Sequence, residues 1–254
     1  MCGRFALSKL HAQLLEEFAI ADSQSTPGSA TLPLLPADWN ITPTRTIYLI
    51  RNNSENQREL ATASWGMIAG WSKDRESALR SQSQAINARS ESVSEKPTFR
   101  SAFRNRRCLI PADGYYEWAT ELGPYAPKQP FYICSDEWEQ KKRSLAFAGI
   151  WDRWVSPTGE IVDSASIITR PAVGFLATVH SRMPTFLPVD RWDHWLDRGT
   201  QDPDEISAMM VFDEKSPPDR GLLVTPVSSK VNSIRNNGPE LIAPIELGEP
   251  QTLF

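Results

Sequence analysis

The sequence is poor in the side chains that build disulfide frameworks and metal centres. It has three cysteines, Cys2, Cys108 and Cys134, and three histidines, with no CxxC pair and no histidine cluster near a cysteine. An odd number of widely separated cysteines leaves at least one thiol free and does not predict a disulfide framework. We therefore expect neither a zinc site nor any other bound metal, and we expect no cofactor.

Several other common signals are also absent. There is no GxGxxG, P-loop, HExxH or GxSxG motif, so dinucleotide, phosphate-loop, zinc-protease and serine-hydrolase functions lose their strongest support. No stretch approaches the roughly 20 apolar residues of a membrane span, and the start MCGRFALSKL lacks the basic and apolar regions of a signal peptide. The expected location is the cytoplasm, or the nucleus in a eukaryote, without membrane attachment.

An excess of positive charge is missing as well. Proteins that coat nucleic acids neutralise phosphates with surplus lysine and arginine, so a formal net charge of −4 argues against that class. The charge is uneven, however. Residues 86–110 carry six basic and two acidic side chains, a net of +4, whereas residues 199–254 carry four basic and nine acidic ones, a net of −5. Any nucleic-acid contact is therefore expected to be local.

Helical patterns and polar segments divide the chain unevenly. Residues 7–20, with Ser8 as the N-cap, are predicted to form an amphipathic helix because their apolar side chains recur at helical spacing. Residues 189–196 predict the start of a second helix. The segment 22–38 is rich in Ser, Thr, Pro and Gly, and the segment 72–84 is charged and then rich in Ser and Gln. Both are expected to be surface-loop insertions, the second one mobile.

Short runs of β-branched and aromatic residues predict strands over much of the chain. The predicted strands cover Thr46 to Ile50, Arg107 to Ile110, Phe131 to Cys134, Ala146 to Trp151, Ala165 to Thr169 and Leu222 to Val227. Because no internal repeat and no clean linker divides the chain, we expect one α+β domain over residues 1–254. It is predicted to contain a curved, barrel-like, mostly antiparallel sheet flanked by helices and to be monomeric.

Cys2 is the most unusual feature of the sequence. Its small side chain permits removal of Met1, which would leave a free amine and a thiol on adjacent carbons. An α-amine has a pKa of about 7.7–8, so part of it is unprotonated and nucleophilic near neutral pH. The amine can attack an aldehyde to give an imine, and the sulfur can then close a thiazolidine ring. The alternative is that Cys2 is a small buried residue in an N-terminal strand.

Two further side chains are candidates for acid–base chemistry. His180 lies between an apolar run and a proline in ATVHSRMP, whereas His11 is expected to face solvent and His194 lies inside a helical pattern. Glu117 lies in ADGYYEW, where aromatic neighbours can form an apolar pocket that raises the pKa of a carboxyl group. The alternatives are a hydrogen-bonded structural histidine and an outward carboxylate on an edge strand.

Seven sequence strings together point to one family. They are MCGRF, WNITP, WGMIAGWSKD, INARSE, KPTFRSAFRNRRCLIPADGYYEW, HSRMP and PVSSKVNSIRNNGPEL. In this order they resemble the SOS response-associated peptidase family, the abasic-site processing proteins, and they span nearly the whole chain. The resemblance implies a sensor of abasic sites in single-stranded DNA, built as a mixed α+β, barrel-like single domain.

The resemblance also implies catalytic roles. It makes Cys2 the nucleophile that crosslinks to DNA and Asn87 a residue that orients the reacting centre. Glu117 is expected to act on the amine and the opened sugar, and His180 to assist ring opening. DNA lyase and (auto)peptidase activities are further implications of the family.

DNA contacts are implied where the family strings match, at Arg4, Trp71, Arg89 and Arg182. Arginine forks match phosphate oxygens, and an exposed tryptophan can stack on a base. Core packing is the alternative for Trp71. The chain departs from the common family pattern in the polar insertion before INAR, in the loop 22–38 and at Ser181, where a charged residue is more usual. These departures bear on duplex and junction preference rather than on crosslinking.

Three functions of different classes remain open at this point. The chain could trap the aldehyde of an abasic site covalently, it could be a thiol peptidase that uses Cys2, His180 and Glu117, or it could bind single-stranded DNA without a covalent bond. We favour the first. A nucleophile at the extreme terminus is best explained by use of its amine, whereas a peptidase needs a thiolate in a formed cleft with an oxyanion hole.

Overall fold

The computed structural model describes residues 2–21, 32–120, 125–126, 128–136, 143–212, 217 and 219–247. These residues form twelve strands: β1 (Phe5–Leu7), β2 (Asp38–Ile41), β3 (Thr46–Asn52), β4 (Arg58–Trp65), β5 (Asn87–Arg89), β6 (Arg107–Ala112), β7 (Gly114–Trp118), β8 (Pro130–Ser135), β9 (Leu145–Val155), β10 (Ile161–Pro171), β11 (Arg182–Pro184) and β12 (Leu222–Pro226). The α-helices among them are α1 (His11–Glu17), α2 (Arg75–Gln84), α3 (Arg100–Asn105), α4 (Leu176–Val179), α5 (Trp192–Leu196) and α6 (Pro203–Ala208). Short 3₁₀ turns lie at Val189–Arg191, Ser229–Asn232 and Pro239–Ile242.

Five strands close into a barrel in the order β10-β4-β3-β6-β9, with β9 returning to β10. The closure depends on β10, which pairs antiparallel with β9 along residues 161–167 and parallel with β4 at residues 164–165. Closing a sheet in this way removes the free edges that an open sheet would expose. Beyond the barrel, the end of β10 pairs in parallel with β5 and antiparallel with β11. Strand β10 therefore connects the barrel to the segment that contains Asn87.

A second sheet of five antiparallel strands lies against the barrel in the order β12-β8-β7-β1-β2. Phe5 of β1 packs edge-on against Trp65, with ring centroids 5.0 Å apart, and against Phe147 at 6.0 Å. Tyr115 of β7 also contacts Phe147 at 6.0 Å. These buried rings join both sheets into one core, and ring pairs in this geometry add to the free energy of burial. The predicted α+β class with a barrel-like sheet is confirmed.

All six predicted strands are present, but the first helix starts later than predicted. Leu10 is the N-cap residue of α1, so the prediction of a cap at Ser8 is wrong. Ser8 instead donates its backbone N–H and its hydroxyl to the buried carboxylate of Asp113. His11 was expected to face solvent and is half-buried, with its ring 6.4 Å from that of Tyr48.

The interpretation of residues 72–84 as a mobile loop is wrong, because α2 occupies Arg75–Gln84. The carboxylate of the N-cap residue Asp74 accepts a hydrogen bond from the backbone N–H of Ser77 at 2.7 Å, and the Ser77 hydroxyl oxygen accepts one from the backbone N–H of Asp74 at 3.2 Å. Such a reciprocal pair satisfies backbone donors at a helix start. Only Ala78 and Gln82 of this helix are buried, which explains why it has no apolar stripe in the sequence.

The predicted loop 22–38 can be checked only in part, whereas the predicted helix at 189–196 can be checked in full. Residues 22–31 of the predicted loop 22–38 lie outside the described residues, residues 32–37 have no regular secondary structure, and β2 begins at Asp38. The predicted helix at 189–196 is present as a 3₁₀ turn followed by α5. No helix in the described parts of the chain is long and apolar enough to cross a membrane.

Arg107 is a buried cation that ties α3 to the segment after α5. Its side chain donates to five backbone carbonyls, those of Phe103, Arg104, Trp195, Asp197 and Thr200. Burial lowers the pKa of Arg107 to about 10, so it remains charged at neutral pH. The carbonyl oxygens offset the loss of hydration that this charge suffers.

We expect Arg107→Met to lower the free energy of unfolding by about 3–5 kcal/mol, because it leaves five buried or half-buried carbonyls without their donor. Arg104→Met is the matched control, since that side chain is exposed in the same segment, and it should change the free energy by less than about 0.5 kcal/mol. Urea unfolding of both variants measures the difference. Equal changes in the free energy of unfolding of the two variants would show that the hydrogen bonds of Arg107 do not stabilise the fold.

Candidate functional site

Cys2 lies just before β1 and is fully buried. Strand β1 pairs antiparallel with β7, with Phe5 opposite Tyr115, and the backbone N–H of Tyr116 donates to the carbonyl of Arg4 at 2.9 Å. This pairing brings the start of the chain alongside the end of β7, where Glu117 lies. The alternative that Cys2 is a small buried residue in an N-terminal strand is therefore right about its burial and wrong about the strand, which begins at Phe5.

Asn87 holds the backbone of Cys2 in place. Its Nδ2 donates to the carbonyl oxygen of Cys2 at 2.7 Å. The parallel pairing of β5 with β10 positions Asn87 opposite Ile167. The other amide atom, Oδ1, is buried and has no hydrogen-bond partner among the described residues. Asn87 can therefore orient Cys2 with one end and accept a hydrogen bond from a bound group with the other.

Glu117 is a buried carboxyl group close to Cys2. Burial raises the pKa of Glu117 to about 7, and the positive charge of the amino terminus acts in the opposite direction. Burial also raises the pKa of the Cys2 thiol well above its usual range, and the negative charge of Glu117 adds to that shift. At neutral pH the site thus combines a protonated thiol with a carboxyl group that can give or take a proton. The alternative of an outward carboxylate on an edge strand is wrong, since Glu117 is buried.

His180 directly follows α4, close to the end of β7. The backbone N–H of Thr120 donates to the carbonyl of Val179 at 3.1 Å and connects the two segments. Nδ1 of His180 accepts a hydrogen bond from the backbone N–H of Arg182 at 3.0 Å, so the neutral ring carries its proton on Nε2. Burial lowers the pKa of His180, and the charge of the amino terminus lowers it further. The imidazole is therefore a neutral Nε2–H donor at neutral pH.

The four residues expected to contact DNA have different surroundings. Trp71 is 61% exposed, so core packing is excluded for it, and Arg89 is also exposed. Arg4 is half-buried, and its Nη1 donates to Asn40 Oδ1 at 2.6 Å and to the carbonyl of Val231 at 2.7 Å. Its guanidinium carbon lies 5.7 Å from the ring centre of Trp118. The contacts of Arg4 are thus internal ones that fix the segment around Val231.

Arg182 is mostly buried and paired with an acidic residue that sequence reasoning missed. Its guanidinium donates to both carboxylate oxygens of Glu91 and to the backbone carbonyl of Thr169 at 2.6 Å. Glu91 stands two residues after Arg89 in the string INARSE, and this position is the only signal for it in the sequence.

The free thiol expected from the cysteine count is confirmed, since Cys2, Cys108 and Cys134 are all free and buried. No group of three or more His, Cys, Asp or Glu side chains within the described ranges is arranged to hold a metal ion. The local basic segment is less basic at the surface than its sequence indicates, because Arg107 points inward. The exposed cations of that segment are Arg89, Lys96, Arg100 and Arg104.

Comparison with known sequences settles the family. The sequence model of the SOS response associated peptidase family matches residues 1–234. The chain belongs to this family. One relative is the abasic site processing protein YoqW of Bacillus subtilis strain 168, which is 36% identical over 244 residues, 95% of this chain and 99% of that protein. The abasic site processing protein HMCES of Mus musculus is 31% identical over 223 residues, which are 79% of this chain and 61% of that longer protein.

Solved structures share the fold of this chain. A crystal structure of a Bacteroides thetaiotaomicron protein superposes with a TM-score of 0.78 at 23% identity and covers 96% of this chain and 100% of its own. A Bordetella bronchiseptica protein superposes with a TM-score of 0.69 at 26% identity and covers 90% of this chain and 100% of its own. The fold of this family member is therefore shared over nearly its whole length.

We expect Glu117→Gln to stabilise the protein at pH 8 but not at pH 5. Because the folded-state pKa of about 7 lies above the ordinary value of 4.5, the folded chain binds more protons than the unfolded chain between these values. Wild-type stability therefore falls as pH rises through this window. Glutamine does not titrate, so the variant should exceed the wild type by about 1–3 kcal/mol at pH 8.

Urea unfolding from pH 5 to pH 8 measures this difference. Burial raises the pKa of Asp113 to about 6, but its contribution to the pH dependence is common to both proteins and cancels in the comparison. A difference that stays constant over this range would contradict the assignment of the shifted pKa to Glu117.

Proposed function

We propose that this protein processes abasic sites in single-stranded DNA and links itself covalently to the sugar aldehyde through Cys2, after removal of Met1. The adduct would protect the damaged strand during the DNA damage response. The observation that carries the proposal is the meeting of an N-terminal cysteine with a buried carboxyl group whose pKa lies near neutrality. The names of the relatives, abasic site processing proteins, support this choice of substrate.

The first step is to open the sugar. An abasic deoxyribose is mostly a closed hemiacetal, and opening it transfers the proton of the C1 hydroxyl away while the ring oxygen gains one. His180 offers an Nε2–H donor because its Nδ1 is occupied by the backbone N–H of Arg182. In the proposed mechanism Nε2 gives its proton to the ring oxygen as the bond between C1 and that oxygen breaks, and takes the proton of the C1 hydroxyl in exchange, so that the aldehyde forms and the imidazole ends neutral.

The second step joins the amine of Cys2 to the aldehyde. As the amine nitrogen bonds to C1 the C=O π bond breaks, and Glu117 carries one proton from the nitrogen to the oxygen, which gives the carbinolamine hydroxyl. Glu117 carries the second nitrogen proton to that hydroxyl, the C–O bond breaks, water leaves and the imine remains. The Cys2 sulfur adds to the imine carbon while its proton passes to the nitrogen, which closes the five-membered thiazolidine ring. Asn87 keeps Cys2 oriented throughout by binding its carbonyl.

The raised thiol pKa favours this mechanism over a thiol peptidase. A cysteine protease depends on a thiolate, which a lowered pKa makes available, whereas burial and the charge of Glu117 raise the pKa of Cys2. The thiazolidine mechanism needs only a neutral thiol in its last step. A purely non-covalent DNA binder would use Trp71, Arg89 and Arg182 but would have no use for a carboxyl group poised beside Cys2.

We expect the wild-type protein to form a denaturant-resistant adduct with a single-stranded oligonucleotide that contains an abasic site. Cys2→Ala should give at most a labile imine, because it retains an amine but lacks the sulfur that closes the ring. Cys108→Ala, which removes another buried free thiol, should retain the adduct. Denaturing gel electrophoresis and the intact mass of the N-terminus provide the measurements.

Two results would refute this mechanism. One is an adduct with an oligonucleotide whose sugar aldehyde has been reduced to an alcohol. The other is crosslinking at the full rate by chains that retain Met1, since an amide nitrogen at Cys2 cannot form an imine.

His180 and Glu117 should differ in their response to the substrate. Removal of one general acid–base group typically slows a step by about 10²–10⁴-fold, so His180→Ala and Glu117→Gln should both slow crosslinking more than they weaken DNA binding. An oligonucleotide with a pre-opened aldehyde should restore the rate of His180→Ala but not that of Glu117→Gln. Single-turnover kinetics with both substrates measures this, and equal rescue of both variants, or of neither, would show that the roles are assigned wrongly.

A further inference from the structure

The guanidinium of Arg182 already holds an anion, which is the carboxylate of Glu91. Nη1 donates to one carboxylate oxygen and Nη2 to the other, the second at 3.0 Å. Arginine binds phosphate with the same two-pronged geometry. The Glu91 oxygens therefore occupy the positions that two phosphate oxygens would take, and Arg182 cannot bind both anions through this edge at once.

Arg182 is also held by contacts other than the one with Glu91. Its Nη2 also donates to the backbone carbonyl of Thr169 at 2.6 Å and to the Thr169 hydroxyl at 3.2 Å. The Arg182 side chain is only 14% exposed, whereas that of Glu91 is 49% exposed. If the bridge opens, Arg182 stays in place while Glu91 has free access to solvent.

The surroundings of Glu91 also suit an anion. Glu91 lines a cavity of about 260 Å³ together with Ser90, Arg170 and Thr185. The Thr185 side chain is fully buried, and its hydroxyl has no hydrogen-bond partner in the parts of the chain that the structure describes. Arg170 is near enough for its charge to interact with both Glu91 and Arg182. The Glu91 carboxylate thus accepts from Arg182 and from the Ser90 hydroxyl at 3.1 Å, with the second positive charge of Arg170 nearby.

We propose that Glu91 is an internal stand-in for a DNA phosphate, which neutralises Arg182 in the free protein and is displaced when a phosphodiester of the bound strand enters. The proposal rests on the proposed function, because it takes Arg182 as a DNA contact. Displacement of Glu91 weakens the binding of every strand equally. A protein that ends its search with a covalent bond gains from this, because it leaves undamaged DNA quickly and still keeps an abasic site once the bond has formed.

The test is the affinity for an undamaged single-stranded oligonucleotide, measured by fluorescence anisotropy. Glu91→Gln should tighten binding about five- to tenfold, as expected when a partly exposed ion pair no longer has to be broken. The control Glu95→Gln removes the same charge from an exposed position four residues away and should change affinity less than about twofold. Unchanged binding by Glu91→Gln would overturn the proposal, because it would show that Glu91 has no effect on DNA affinity. Weaker binding would also overturn it, because it would show that Glu91 positions Arg182 for DNA.

A double variant shows whether the effect passes through Arg182. Glu91→Gln should give no gain in affinity when Arg182→Ala is already present. An equal gain in both backgrounds would reveal general electrostatic repulsion and overturn the stand-in role. The undamaged strand has no aldehyde, so failure of the crosslinking mechanism leaves these results unchanged, and failure here leaves the denaturant-resistant adduct unchanged.

Discussion

The antiparallel pairing of β1 with β7 is the contact on which the arrangement of the site depends. It brings Cys2 and Glu117 together and seals both from solvent against the barrel. One physical effect, loss of hydration, then acts on two acids of different strength. It raises the pKa of Glu117 to about 7 and that of the Cys2 thiol well above its usual range. The same burial therefore prepares a proton carrier and withholds a thiolate, a combination that suits an amine nucleophile.

Much of the fold could be predicted from local patterns in the sequence. All six predicted strands are present, and four of them, β3, β6, β9 and β10, belong to the barrel. The fifth barrel strand, β4, was not predicted, because its sequence RELATASW is not a run of β-branched and aromatic residues. The failures have local physical causes. Helix α2 is stabilised at its start by the reciprocal hydrogen bonds of Asp74 and Ser77 and buries only two small or polar side chains, so hydrophobic periodicity could not reveal it. At α1 the hydroxyl of Ser8 binds Asp113, more than a hundred residues away, instead of capping the helix.

For the candidate site, the sequence predicts which residues take part but not how they contact one another. Sequence strings pointed to Cys2, Asn87, Glu117 and His180, but not to their contacts. The tautomer of His180 depends on the backbone N–H of Arg182. The binding of Asn87 to Cys2 depends on a parallel pairing between β5 and β10. A count of charged residues also does not show which cations are buried or paired. The burial of Arg107 and the pairing of Arg182 with Glu91 arise only from tertiary contacts.

The strand order has a consequence for the time at which the site forms during synthesis. Strand β1 is made before its partner β7, which begins only at Gly114, and Asn87 is placed by residues 167–169 of β10. Pairings between segments so distant in sequence cannot form until the later segment exists. On a growing chain Cys2 is therefore accessible for many residues of synthesis before it is buried. The surroundings of Cys2 therefore close only after that residue has been exposed to whatever acts on the growing chain.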